Sequence, residues 1–70
     1  MKYAVVIEKG PTSFGAYVPD LPGCVAAGGS REEVVQLIHD AIEFHIEGLK
    51  ADNQPVPLPS STIEFIDVAA

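Results

Sequence analysis

The sequence predicts a small α+β domain with the element order β-β-β-α-β, in which one amphipathic helix packs on one face of a sheet. Three observations carry this prediction. Short segments of alternating apolar and polar residues lie near both ends of the chain, a helix-length apolar pattern lies between them, and proline-rich connections separate them. At 70 residues the chain has the length of one domain, so residues 1–70 are expected to form it.

Two strands are expected first, joined as an antiparallel hairpin. Residues 2–9 place Tyr3, Val5 and Ile7 on one face at a period of two. Residues 14–18 alternate in the same way, with apolar residues at the even positions. The four residues between the two segments are Gly-Pro-Thr-Ser, which favours a turn of hairpin length.

The stretch that follows, Tyr-Val-Pro-Asp-Leu-Pro-Gly-Cys at residues 17–24, predicts a stiff corner. Proline fixes φ and lacks an N–H, so neither a strand ladder nor a helix continues through Pro19 and Pro22. Asp20, between them, is expected to hydrogen-bond the backbone of its own turn. A short third strand of small residues is expected over residues 23–27.

A helix is predicted from about Arg31 to Ala51. Ser30 and Glu33 have the spacing of a capping box, in which the Ser30 hydroxyl accepts a hydrogen bond from the Glu33 amide. The apolar arc of this helix is about 200° wide, twice what packing on one side needs. The excess indicates either a second contact surface on the helix or burial under the C-terminal segment.

Two sets of helix residues are therefore candidate contact residues. Leu37 and Phe44 flank the apolar face and are candidates for contacts in a homo-oligomer. Asp40, Glu43 and Glu47 form an acidic strip on the opposite side and are candidates for binding a partner.

The helix is expected to stop at residues 52–59, where three alternating prolines impose an extended return path. Residues 62–68 are then predicted to form a final strand. Ile63 and Phe65 face one way in this strand, and Ile66 and Val68 face the other.

Composition limits the classes of function. Four basic residues against ten acidic ones give a net charge of −6, which argues against nucleic-acid binding and favours a basic protein partner or simply solubility. No apolar run approaches membrane-spanning length and no signal peptide is evident, so cytoplasmic residence is expected. Cys24 is the only cysteine, so no disulfide within the chain supports this small core. Association is expected instead, as a homo-oligomer (a dimer or tetramer), with an obligate partner, or both.

The sequence indicates no catalytic, cofactor or metal site. Cys24 has no cation beside it in the sequence and is expected to be a small buried residue. His45, on the apolar helix face, is expected to be a neutral core histidine. The carboxylates nearest the strands are Glu8, Asp20 and Glu64, and they do not form a recognisable metal cluster.

Taken together, the corner, the capping box and the helix resemble the HicB family of antitoxins. The motif residues that carry the resemblance are Pro19, Asp20, Leu21, Pro22, Gly23, Cys24, Ser30 and Glu33. The stretch Ala-Ile-Glu-Phe-His-Ile-Glu-Gly-Leu at residues 41–49 continues it, and the likeness extends over nearly the whole chain.

The resemblance implies a degenerate ribonuclease-H-like fold without a working active site. It also implies an antitoxin that binds and silences a small basic HicA-type toxin that cleaves mRNA. Many family members carry a C-terminal DNA-binding segment, and none is expected here. Two alternatives stay open: a solitary structural or oligomerisation domain without a toxin, and a metal-dependent ribonuclease-H-like nuclease.

Overall fold

A computed structural model describes residues 1–69 of the protein. Its elements are three strands, β1 (Val6–Lys9), β2 (Phe14–Tyr17) and β3 (Val25–Gly28), followed by one helix, α1 (Arg31–Ala51). The order of these elements and the α+β class agree with the sequence prediction, and the helix has the predicted limits.

Within residues 1–69, the three strands form an antiparallel sheet in the order β1-β2-β3. Ile7 lies opposite Ala16, and Ala16 lies opposite Ala26, so one row of small and apolar side chains crosses the helix-covered face. The predicted hairpin is confirmed, but β1 covers only Val6–Lys9 of the predicted residues 2–9, because its pairing with β2 ends where Val6 lies opposite Tyr17. The third strand begins two residues later than predicted because Gly23, with a φ of 84°, still belongs to the corner.

The start of the helix is fixed against β3. The Glu33 amide donates to the Ser30 hydroxyl oxygen at 3.1 Å, as the capping pattern predicts. A β-carbon at Gly28 would lie 3.1 Å from the Val34 amide nitrogen and 3.2 Å from Glu33 Cγ. Glycine at this position therefore lets the first helical turn pack directly on the strand that precedes it.

The hydrophobic core is small, and the corner supplies half of it. Its buried residues are Ala16, Val18, Leu21, Cys24, Val34 and Ile38. Leu21 and Val34 are fully buried, so the corner and the first turns of α1 meet at the centre of the core. Burial of Cys24 confirms the interpretation of this residue as a small core side chain.

The helix is much longer than the strands beneath it. Twenty-one residues of α-helix span about 32 Å, whereas a four-residue strand spans about 13 Å. The second half of α1 therefore overhangs the sheet. His45 lies in this half and is only half-buried, so its expected place in the core is wrong. Among residues 1–69, no helix is long and apolar enough to cross a membrane.

The predicted final strand is wrong for the single chain. Residues 52–69 are not assigned to any strand, and the observed order is β-β-β-α. Residues 62–68 have the alternating pattern of a strand. A strand also needs the edge of a neighbouring strand to pair with, and within the single chain this segment does not lie along one. The ribonuclease-H-like arrangement stays a prediction, since three strands and a helix are common to many α+β domains.

Replacing Leu21 with alanine is expected to lower the free energy of unfolding by about 3 kcal/mol, because a fully buried side chain would leave a cavity between the corner and α1. The same change at Leu58, whose side chain is 74% exposed, is expected to cost less than about 0.5 kcal/mol. Urea unfolding followed by circular dichroism compares the two, and equal losses would contradict the central place of Leu21.

Candidate functional site

The corner is built from two successive turns. The Leu21 amide donates to the Val18 carbonyl at 3.1 Å, and the Cys24 amide donates to the Leu21 carbonyl at 3.0 Å. The Val18 amide closes the loop by donating to the Cys24 carbonyl at 3.2 Å. The residues that make these bonds are also the buried ones, at every third position, so the residues between them are turned outward.

Asp20 is the functional group that the corner turns outward. One of its carboxylate oxygens accepts hydrogen bonds from the backbone amides of Ser60, at 2.8 Å, and Ser61, at 2.9 Å. The other oxygen accepts from the Ser60 hydroxyl at 3.1 Å and the Ser61 hydroxyl at 2.7 Å. Four donors from two adjacent serines thus converge on one carboxylate, forty residues away in sequence.

These bonds stabilise the ionised form of Asp20. The Ser61 amide, followed by the Ser60 amide and the Ser61 hydroxyl, lowers the pKa of the Asp20 carboxyl from 3.8 to about 2. The carboxylate is therefore negative throughout the ordinary pH range and acts as an acceptor alone. The prediction that Asp20 bonds the backbone of its own turn is wrong, because its four bonds go to Ser60 and Ser61 and tie the C-terminal segment to the corner.

A second contact guides the same segment. The Tyr3 hydroxyl donates a hydrogen bond to the Pro57 carbonyl oxygen. Tyr3 precedes β1 and Asp20 follows β2, and because Val6 is opposite Tyr17 both lie beyond the same end of the sheet. Between Pro57 and Ser60 the chain therefore crosses that end from the β1 side toward the β2 side.

The acidic strip on α1 faces solvent. Asp40, Glu43 and Glu47 are all exposed. Gln36 Nε2 donates to Asp40 Oδ1 at 3.1 Å, and His39 Nδ1 lies 3.3 Å from Glu43 Oε1 one helical turn away. These contacts hold some of the side chains in place but leave carboxylate oxygens free, which suits the strip to contacts with a basic surface.

His39, Asp40 and Glu43 also bring three possible metal-ligand atoms within 4.8 Å of one another. All three side chains are exposed, and the i, i+4 spacing on a helix accounts for the cluster. A structural zinc site needs four protein ligands, so this cluster does not meet that requirement.

The apolar residues on the two flanks of α1 lie beside open grooves. On the β3 side, Phe44 is 79% exposed and lines a groove with Val25 and His45. Leu37 is 39% exposed, seven residues earlier on the same flank. On the β1 side, Val35 lines a second groove. The flank predicted to be available for contacts is thus exposed, while its role in an oligomer stays a prediction.

Cys24 lies on the inner side of the corner. Burial raises the pKa of its thiol, which keeps it protonated and weakly nucleophilic. The sulfur therefore contributes packing to the corner, and the chemistry of the site comes from hydrogen bonding and charge.

Comparison with known proteins identifies the family. The sequence pattern described as "HicB_like antitoxin of bacterial toxin-antitoxin system" matches residues 3–69. The chain belongs to the HicB-like antitoxin family. The match includes the corner, the helix and the segment held by Asp20, so the family pattern extends over all the features described above.

Individual HicB-like relatives differ in length. The protein named Antitoxin HicB 2 from Photorhabdus laumondii is 31% identical over all of this chain, which covers 51% of that relative. A protein of Haemophilus phage HP1 is 36% identical over 96% of this chain, which spans 50% of it. A UPF0150 protein of Synechocystis is 45% identical over 79% of this chain and 71% of its own length. The chain thus spans about half the length of the phage protein and of the named antitoxin.

Replacing Asp20 with asparagine is expected to release the C-terminal segment. An amide has one acceptor oxygen, so the two hydroxyl bonds must reverse, with the NH₂ group as donor, and all four bonds lose the negative charge that strengthens them. Hydrogen exchange of the Ser60 and Ser61 amides is expected to accelerate about tenfold or more. Asp52→Asn, which makes the same charge change at the end of the helix, is the control. If the hydrogen exchange of the Ser60 and Ser61 amides is unchanged in Asp20→Asn, Asp20 does not anchor the C-terminal segment.

Acid should release the segment by the same route. The folded-state pKa of Asp20 lies below its unfolded value, so the stabilisation is fully present above pH 3.8 and is lost as pH falls through about 2. An NMR titration of the Asp20 carboxyl carbon measures this directly. A midpoint near 3.8, together with Ser60 and Ser61 amide signals that do not respond to it, would show that the four bonds do not form in solution.

Proposed function

We propose that this protein binds and neutralises a small basic toxin of the HicA type, using the acidic strip of α1 as part of the contact surface. Its membership of the HicB-like antitoxin family supports the class of function. The observation that carries the proposed surface is the exposure of Asp40, Glu43 and Glu47 along one side of the helix.

Charge supports a basic partner. The chain has a net charge of −6, and its four basic residues are spread from Lys2 to Lys50. Complementary charge across an interface raises the association rate and suppresses wrong partners more than it adds to affinity. A strip of free carboxylates on a rigid helix can supply that complementarity without ordering a flexible loop.

Exposed apolar surface near the strip supports a specific contact as well as a charged one. Phe44 follows Glu43 directly and is 79% exposed in the chain. Binding energy in protein interfaces is concentrated in a few large, mostly aromatic side chains surrounded by polar ones. Phe44 and its acidic neighbours provide this combination on one stretch of α1.

The nuclease alternative is weakened by the role of Asp20. Both oxygens of its carboxylate already accept hydrogen bonds from Ser60 and Ser61, so using them to hold a metal ion would break the anchor of the C-terminal segment. Glu8 and Glu64, the other carboxylates considered for this role, are exposed. The proposal therefore assigns the protein a binding role and no catalytic residue.

The proposal is tested by co-expression with a HicA-type toxin encoded beside the gene. Glu43→Lys/Glu47→Lys is expected to weaken toxin binding roughly tenfold or more, mainly by slowing association, and to reduce rescue of growth. Glu8→Lys/Asp52→Lys is the matched control, because it changes the net charge by the same four units away from the strip. It is expected to retain rescue and most of the affinity.

The pattern of results separates the possible roles. Equal losses in the two double variants would leave only a general charge effect and would contradict the strip as a contact surface. Failure of the unaltered protein to bind or rescue would favour the solitary oligomerisation domain instead. Circular dichroism of each variant excludes loss of folding as the cause.

A further inference from the structure

The C-terminal segment, residues 62–69, has the apolar alternation of a strand but pairs with no strand in the single chain. Its exposed side chains are Ile63 at 53%, Phe65 at 92%, Ile66 at 76% and Val68 at 78%. Within the described residues, none of its backbone amides donates a hydrogen bond to another part of the chain. Large apolar side chains exposed together on an extended segment mark a contact surface.

The start of this segment is anchored to the corner. Ser60 and Ser61, immediately before it, are held by the four hydrogen bonds to Asp20. The radius of gyration is 13.8 Å, compared with about 11 Å for a compact domain of this length. The long axis of 48 Å agrees with a segment that extends beyond the sheet and helix.

The same chain contains a vacant strand position. Within residues 1–69, β1 pairs with β2 alone, so its other edge is free. Beside that edge, between β1 and α1, lies an open groove of about 490 Å³. Its walls are mostly apolar, including Tyr3, Val5, Ile7, Ile42 and Ile46. A strand added to β1 would cover this groove with alternate side chains.

We propose that residues 62–68 of one copy pair as a strand with the free edge of β1 in a second copy, and that the exchange is reciprocal. Each copy then donates its C-terminal segment and accepts the other's, giving a twofold-symmetric dimer with a four-stranded sheet in each half. The predicted final strand is thereby formed between chains. The segment has large apolar side chains on both faces. In the paired strand, one face would cover the groove, and the other would lie on the open face of the sheet.

The path of the chain indicates that the segment pairs with β1 of a second copy and not with β1 of its own chain. From Pro57 to Ser60 the chain moves across the end of the sheet from β1 toward β2, which is away from the free edge of β1. Pairing with its own edge would require the segment to reverse direction directly after Ser61. A second copy placed beyond the end of the sheet accepts the segment without that reversal.

The β1 edge offers positive charge to the segment, next to the negative charges of Glu8 and Glu43. Glu64 and Asp67 give the segment two negative charges, while Lys2 and Lys9 carry two of the chain's four positive charges at the two ends of the β1 region. All four side chains are exposed.

The test compares two phenylalanine-to-glutamate variants. Phe65→Glu is expected to raise the dimer dissociation constant roughly a hundredfold or more, because each dimer loses two buried aromatic rings and gains two buried charges. Phe44→Glu, at another exposed position, tests the alternative interface on α1 that the sequence suggests, and it is expected to leave the dimer intact. Light scattering over a concentration series gives the mass. Ile66→Pro removes a strand amide and is also expected to give a monomer.

The identity of the acceptor needs a separate measurement. A refolded equal mixture of ¹⁵N-labelled and ¹³C-labelled protein is expected to show contacts between Phe65 of one chain and Val5 or Ile7 of the other. The amides of residues 62–68 are expected to be protected from hydrogen exchange in the dimer. Circular dichroism confirms that each variant is folded.

Several results would overturn the proposal. A monomeric protein with protected amides at residues 62–68 would place the segment on its own β1. A dimer lost in Phe44→Glu and kept in Phe65→Glu would place the interface on the helix. A monomer with unprotected amides would remove the strand altogether. None of these outcomes depends on a toxin, so the exchange and the proposed antitoxin function fail or succeed separately.

Discussion

The fold depends on the way the corner at residues 18–24 separates its side chains onto two sides. Val18, Leu21 and Cys24 point into the core because two consecutive turns bring every third residue inward. Leu21 lies in the same core as Val34 of α1, and that core has six buried apolar residues among residues 1–69. The same turns leave Asp20 facing outward, where it holds the C-terminal segment. One short loop therefore connects the sheet, the helix and the chain terminus.

A small core leaves much of the molecule's apolar surface open. The helix contributes Val34 and Ile38 as buried side chains and then extends beyond the strands, so its second half has little sheet to cover. Grooves remain on both flanks, one beside β1 and one beside β3. A domain of this size gains stability by association, and the two grooves and the C-terminal segment are the surfaces on which association can occur.

The proposed contacts use different parts of this surface. The acidic strip lies on the solvent side of α1, whereas the proposed strand exchange uses the edge of β1 and the groove next to it. Glu43 belongs to both regions, because it carries part of the strip and also lines the groove. A strand bound in the groove would therefore lie next to the acidic strip.

The sequence by itself determined the local elements, the family resemblance and the capped start of the helix. Alternation, proline placement and the spacing of Ser30 and Glu33 act over a few residues, so they are visible in the chain as written. The tertiary structure decided which distant residues each element contacts. Asp20 meets Ser60 and Ser61 across forty residues, and no local pattern encodes that distance, although an aspartate between prolines and a Pro-Ser-Ser stretch are separately visible. The strand pattern at residues 62–68 was likewise clear, but an alternating segment becomes a strand only where a free edge lies within its reach, and its anchor at Asp20 directs it away from its own.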